Sequence, residues 1–203
     1  MSFITSYCRI SKDKCSVNGK NILLINSDSE LEWIKQLYKS LQIDYPKFYK
    51  MDVLSKLAFI GTELIKKNSD FNFYTDDDVA LVFANRHSSG DTDLKFNNSY
   101  QQELMPSPAL FVYTLPNILI GEIAIRNKWH GENLFTVARE FDATFFQNYC
   151  NILLSKNSQA CVCGWIDAME DNLEAFLFFV EVSDTSKLNL PFTSKIVANL
   201  YKA

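Results

Sequence analysis

Histidine is scarce in this chain: only His87 and His130 occur among its 203 residues. Proton transfer near neutral pH most often runs through imidazole, so general acid–base chemistry lacks its usual carrier. No apolar run reaches the roughly 18 residues that span a bilayer. The opening "MSFITSYCRISK" is polar and has no continuous apolar core, which argues against an export signal. No basic stripe is present and the net charge is −4, so nucleic acid is not an expected partner. Internal repeats, low-complexity tracts and Gly/Pro-rich linkers are also missing, which leaves one domain over residues 1–203. The five cysteines are odd in number. Without an export signal they point to reduced thiols in the cytoplasm.

What remains has the composition of an ordinary globular domain, 47% hydrophobic and 22% charged, with sixteen Phe and nine Tyr. So many aromatics imply large buried surfaces or an interface. Cys161 and Cys163, two apart in "QACVCGWI", share one face of a strand. No other Cys or His lies close in sequence, so buried strand thiols are expected, with no metal and no cofactor.

Periodicity places strands at "NILLIN" (21–26), "DVALVFANR" (78–86), Leu134–Val137, "QACVCGWI" and "EAFLFFVEV" (174–182). Helices are expected at 29–41, at "LKFNNSYQQEL" and at "NILIGEIAIRNK". Another lies in "KMDVLSKLAFIGTELIKKN", where Leu54, Leu57, Ala58, Gly61, Leu64 and Ile65 recur at helical spacing behind an Asp52 N-cap. The alternation of strands and helices predicts an α/β fold, with a mostly parallel mixed sheet and helices on both faces. A final apolar run, "SKIVANLY", closes the chain, and the pattern leaves residues 184–203 without a fixed placement.

The segment "NLFTVAREFDATFF" combines a strand, a tight bend and a Phe-rich helix. Such a bend, at a helix N-terminus, stabilises negative charge and suits a nucleophile. Here it carries Ala138, Arg139 and Glu140, with no Cys, Ser or Thr before Thr144. The helix beyond it has apolar residues (Phe141, Phe145, Phe146, Tyr149, Cys150, Ile152, Leu153, Leu154) around most of its circumference. That pattern belongs to a helix enclosed on all sides, by a further layer of this chain or by another subunit.

Several segments, in order, resemble the N-terminal half of a β-ketoacyl synthase (ketosynthase) of the thiolase-like superfamily. "KMDVLSKLAFIGTELI" is similar to that family's "K-M-D-x-x-x-x-L-A" helix, and "DVALVFANRHSSGDTD" to its strand-to-loop "RIGVVVGSGxGG". "PSPALFVYTLPNILIGEIAIRNKWHGENLFTV" resembles "VSPxxVPxxLPNxxAGxxAIxxGxxGPN" with the strand that follows, and "QACVCGWIDAME" resembles "DVMLAGGAEA". The matches run over about residues 49 to 182. The family's acyl-accepting cysteine stands seven residues after the Asn of "GPN". Here Asn133 leads to Glu140, or to Arg139 if the alignment slips by one, and neither forms a thioester. The family's two catalytic histidines and its lysine lie in a C-terminal half with no counterpart here, and His87 and His130 both read as loop residues.

The resemblance therefore implies a thiolase-like half without catalytic residues, Glu140 being a degenerate nucleophile position. Chain length factors of type II polyketide systems keep the ketosynthase fold, replace the cysteine, typically by glutamine, and pair with an active ketosynthase. Short ketosynthase-N-terminal-domain-like proteins, found with aryl polyene pigment pathways, match this chain in length. The implied function is a non-catalytic, chain-length-factor-like partner of a full-length ketosynthase in fatty acid or polyketide-type biosynthesis. Acyl carrier protein would dock on that partner, because both it and this chain are acidic. The alternatives are a homodimeric acyl-binding module and a malonyl-thioester decarboxylase of the cysteine-replaced type.

In ketosynthase dimers the strand before the cysteine pairs with its twin across the two-fold axis. Here that strand holds Asn133, Leu134, Phe135 and Val137. The family's counterpart of "FVYTLPN" lies near the same interface and helps line the partner's acyl tunnel. This adds Phe111, Tyr113, Leu115 and Phe141 as interface or tunnel candidates.

Overall fold

The computed structural model describes residues 1–12, 14–22, 30–103, 105–170, 172–182 and 188–203. Among them, eight strands form one mixed sheet: β1 (Phe3–Ser11), β2 (Lys14–Val17), β3 (Lys20–Ile22), β4 (Val79–Asn85), β5 (Asn133–Val137), β6 (Ala160–Met169), β7 (Asn172–Glu181) and β8 (Leu190–Pro191). The order is β3-β2-β1-β7-β6-β4-β5, with β8 beside the first residues of β1. The helices are α1 (Glu30–Ser40), α2 (Val53–Lys66), α3 (Gly90–Glu103), α4 (Pro108–Val112), α5 (Ile118–Asn127), α6 (Ala143–Leu154) and α7 (Ser194–Lys202).

The α/β class and the helices on both faces agree with the sequence, but the expected mostly parallel sheet needs correction. Among the described residues only β4–β5 and β4–β6 are parallel, and every other pairing is antiparallel. The parallel pairs arise where helices carry the chain across, α3 to α5 between β4 and β5, and α6 between β5 and β6. Of the antiparallel pairs, β1–β7 and β1–β8 join segments far apart in sequence, and the others join successive strands. Val17 pairs with Lys20 around Asn18-Gly19, whose φ values of 49° and 77° are those of a type I′ hairpin turn. Met169 likewise pairs with Asn172.

The polar opening segment, which carries no strand signal on inspection, is the long inner strand β1. Its register slips between Ile4 and Ser6, so Ile4 joins the core on one face and Cys8 and Ile10 the core on the other. The strand expected at 21–26 is seen only as β3, because residues 23–26 lie outside the described residues.

The first face is covered by α2, flanked by α1 and α5. Asp52 caps α2 by accepting from the Ser55 N–H at 2.9 Å, as the sequence predicts. Almost all of α2 is buried. It approaches the sheet most closely at Gly61, where an added Cβ would lie 2.5 Å from a Leu177 methyl. Gly131 plays a similar part before β5, where an added Cβ would lie 2.5 Å from the Val79 carbonyl oxygen. Only glycine lets the chain pass there and enter the sheet beside β4.

The second face packs under α6 and α7. α6 presents Ala143, Phe146, Cys150 and Leu153 to Val82, Cys161, Cys163, Phe176, Phe178 and Val180 of the sheet. The expectation of a helix enclosed on all sides is corrected in part. A further layer of this chain, α7, packs along one flank, where Phe141 stacks on Tyr201 at 4.2 Å. Phe145 and Tyr149 stack on each other and stay half-buried. The outer strip of Thr144, Asn148, Asn151 and Ile152 is exposed, and Ile152 is its only apolar member.

Candidate functional site

In a sheet with parallel strands, groups for binding and chemistry gather at the strands' C-terminal ends. Here β4, β5 and β6 run side by side and deliver Asn85-Arg86-His87, Ala138-Arg139-Glu140 and Asp167 to one edge. Asp167 is the hub. Its buried carboxylate accepts from the backbone N–H groups of Arg86 (3.2 Å) and His87 (3.1 Å) and lies 2.6 Å from His87 Nδ1. Arg86 then reaches sideways and donates its Nε–H to the Arg139 carbonyl at 2.7 Å. Asn85 closes the loop with two hydrogen bonds to Ser88, a residue at φ 54°. The ends of three strands are thus laced together, and the lacing fixes the bend that carries Glu140.

Glu140 itself is exposed and does not cap the helix. The N-cap is Asp142, whose Oδ1 accepts from the N–H groups of Thr144 (2.8 Å) and Phe145 (3.1 Å). Glu140 sits two residues earlier, on the rim of a groove of about 470 Å³ lined by Arg86, Phe141, Trp165, Glu174 and Tyr201 among others. No thiol or hydroxyl stands at the bend. All five cysteines are free and buried. Among the described residues, no group of three or more His, Cys, Asp or Glu is placed to hold a metal ion.

The other candidates divide into two sets. Asn133, Leu134, Phe135 and Val137 form β5, the last strand of the sheet, whose only partner among the described residues is β4. Glu132 and Ala138 turn their backbone groups toward β4. By alternation, Asn133, Phe135 and Val137 direct theirs to the open edge. Phe135 also packs on the α2-side core, while Val137 is 53% exposed. Phe111 and Leu115, at 61% and 57% exposure, stand out on and after α4. Phe96 of α3 supports Phe111, and Ser89 holds the adjoining loop by donating to the Thr114 carbonyl at 2.6 Å.

Tyr113 and Phe141 turn inward instead. The Tyr113 hydroxyl donates to Glu122 at 3.0 Å, and burial and that carboxylate push its pKa up. Glu122 is itself buried and meets Lys47 at 2.7 Å. Phe141 packs among Phe146, Phe176 and Tyr201.

The His87–Asp167 pair escapes the sequence reading. Its signal was present in principle: "ANRH" and "WIDAM" both end strands, and once those strands are parallel neighbours in register their ends must meet. Asp167→Ala is expected to cost about 2 kcal/mol, because two backbone donors and the imidazole lose a charged acceptor. Asp167→Asn keeps an acceptor for the backbone and should cost about half as much. Urea denaturation midpoints read the difference.

No protein-family model matches the chain, and no curated protein matches it. Solved structures do. The ishigamide ketosynthase/chain length factor matches with a TM-score of 0.66 at 16% identity, over 92% of this chain and 63% of that one. The ketosynthase ApeO in complex with its chain length factor ApeC, from Xenorhabdus doucetiae, matches with a TM-score of 0.59 at 14% identity, over 90% of this chain and 80% of that one. The type II polyketide ketosynthase complex AntDE:AntF, with its acyl-carrier protein, matches with a TM-score of 0.63 at 11% identity, over 89% of this chain and 62% of that one. The shared feature is the fold: the sheet and its flanking helices superpose on part of those ketosynthase and chain length factor chains. The chain spans less than two thirds of the ishigamide and AntDE chains it matches. The chain it matches in the Xenorhabdus complex is only a little longer than itself.

Proposed function

We propose that this chain is a non-catalytic, chain-length-factor-like subunit that pairs with a full-length ketosynthase in fatty acid or polyketide-type biosynthesis in the cytoplasm. The observation that carries the reading is the bend after β5. By resemblance this is where the family's acyl-accepting thiol stands, and the sequence has an exposed Glu140 there, or Arg139 if the alignment slips by one. A carboxylate at that point does not accept an acyl group as a thioester. The matched solved structures include ketosynthases described together with a chain length factor, which supports the same reading.

The geometry supports a docking mode. The open edge of β5 offers the backbone groups of Asn133, Phe135 and Val137 for strand addition, and Val137 offers apolar surface beside them. Phe111 and Leu115 supply exposed apolar surface in the region that, by resemblance, faces a partner's acyl tunnel. No helix among the described residues is long and apolar enough to cross a membrane.

Co-expression with ketosynthases from the same genome tests the proposal. A stable 1:1 complex carrying ketosynthase activity only on the partner is expected. Purification of this chain alone beside every candidate would sink it.

A further inference from the structure

Three of the five cysteines converge in the core between α6 and the sheet. Cys161 and Cys163 occupy alternate positions of β6 and so point to the same face, and Cys150 descends on them from α6. The sulfurs of Cys150 and Cys163 are 3.2 Å apart. A disulfide is about 2.05 Å long, so closing the bond needs a shift on the order of 1 Å. The other two cysteines provide a contrast. Cys8 faces Val17 and Cys15 faces Ile10 across the β1–β2 pair, which makes them diagonal neighbours. Diagonal positions are about 7–8 Å apart, at the limit beyond which the backbone must move before a bridge can form.

We propose that Cys150 and Cys163 form a latent disulfide site that hydrogen peroxide closes, bolting α6 to β6. In the first step one thiolate sulfur attacks the peroxide. The O–O bond breaks, the sulfur becomes a sulfenic acid and hydroxide leaves. In the second step the neighbouring thiol sulfur attacks that sulfenic sulfur and expels its oxygen. The S–S bond forms, and the two thiol protons end in two molecules of water. The protein loses two electrons and the peroxide gains them.

Burial sets the rate. It pushes the Cys163 thiol up, and the hydrogen bond to Cys150 together with burial pushes Cys161 up, so thiolate is scarce while α6 is packed. Reaction therefore proceeds from conformations in which α6 has lifted from the sheet. Peroxide is small and uncharged and reaches the site through such openings.

The full, reduced chain is treated with dilute hydrogen peroxide under native conditions, then quenched, unfolded, alkylated and mapped by peptide mass spectrometry. The expected product is one linked Cys150–Cys163 peptide pair, lighter by two hydrogen atoms, with Cys8 and Cys15 recovered alkylated. Cys161→Ser keeps the link and Cys163→Ser abolishes it. Three results would overturn the proposal. One is alkylation of all five cysteines after an exposure that oxidises the unfolded chain. The second is a link between any other pair. The third is conversion of Cys150 to sulfinic acid without a link.

Discussion

Phe146→Ala is expected to destabilise the fold by about 3–5 kcal/mol, a large share of the about 5–15 kcal/mol available to a domain. Phe146 is fully buried on α6 and is ringed by other aromatics: Phe141 at 5.5 Å, Phe145 at 5.4 Å and Phe178 at 5.6 Å. Those rings come from the bend, from the helix itself and from β7, so no single neighbour can slide into the space left. The cavity stays open, and its cost adds to the lost transfer energy of the ring. Phe145→Ala, one residue away but half-buried, should cost only about 1–2 kcal/mol. Urea unfolding distinguishes the two variants, with the midpoint falling and the slope unchanged. Equal losses would mean that α6 is not seated on the sheet by the Phe146 face.

Val137→Pro is expected to weaken partner association about tenfold while leaving the fold nearly intact. The loss corresponds to one interfacial backbone hydrogen bond worth about 1–1.5 kcal/mol. Proline removes an N–H that points away from β4, at a position where an edge strand tolerates it. The bonds that hold β5 in the sheet belong to the alternate residues: Ala138 N–H still donates to Asn85 at 2.8 Å. Combining Val137→Pro with Phe111→Glu, which places a charge on exposed apolar surface, should bring the loss to at least about a hundredfold. Ile152→Lys, on the outer strip of α6, is the control and should leave affinity unchanged. Titration calorimetry on the co-expressed pair gives the values. An Ile152→Lys defect with an intact Val137→Pro variant would place the interface on α6 instead.

The parts of the fold legible in the sequence are those that periodicity specifies alone. α2 announces itself through its spacing and the Asp52 cap, and β4, β6 and β7 through dense apolar runs. β1 is not legible, because its inward positions mix Ile4 and Ile10 with Thr5, Ser6 and Cys8, and a register slip between Ile4 and Ser6 breaks the alternation. The parallel–antiparallel balance is not legible either. It depends on which strands neighbour one another, and no local pattern records that. The Glu140 bend could be located from the strand–bend–helix sequence, but the helix begins only at Ala143, past Phe141, because Asp142 takes the cap. The His87–Asp167 pair joins residues 80 apart in sequence and emerges only when β4 and β6 are set side by side. Tyr113, an interface or tunnel candidate by resemblance, turns in to Glu122, where its hydroxyl gives a buried carboxylate a donor.

Amide hydrogen exchange, recorded on this chain alone and on its co-expressed complex with a full-length ketosynthase, shows whether the β5 edge is the docking surface. In the free chain the amides of Asn133, Phe135 and Val137 face an open edge and should exchange fast, while those of Leu134 and Thr136 bond to β4 and should exchange slowly. All five should become slow in the complex, together with the segment around Phe111 and Leu115. Unchanged exchange at Asn133, Phe135 and Val137 within a stable complex would contradict it.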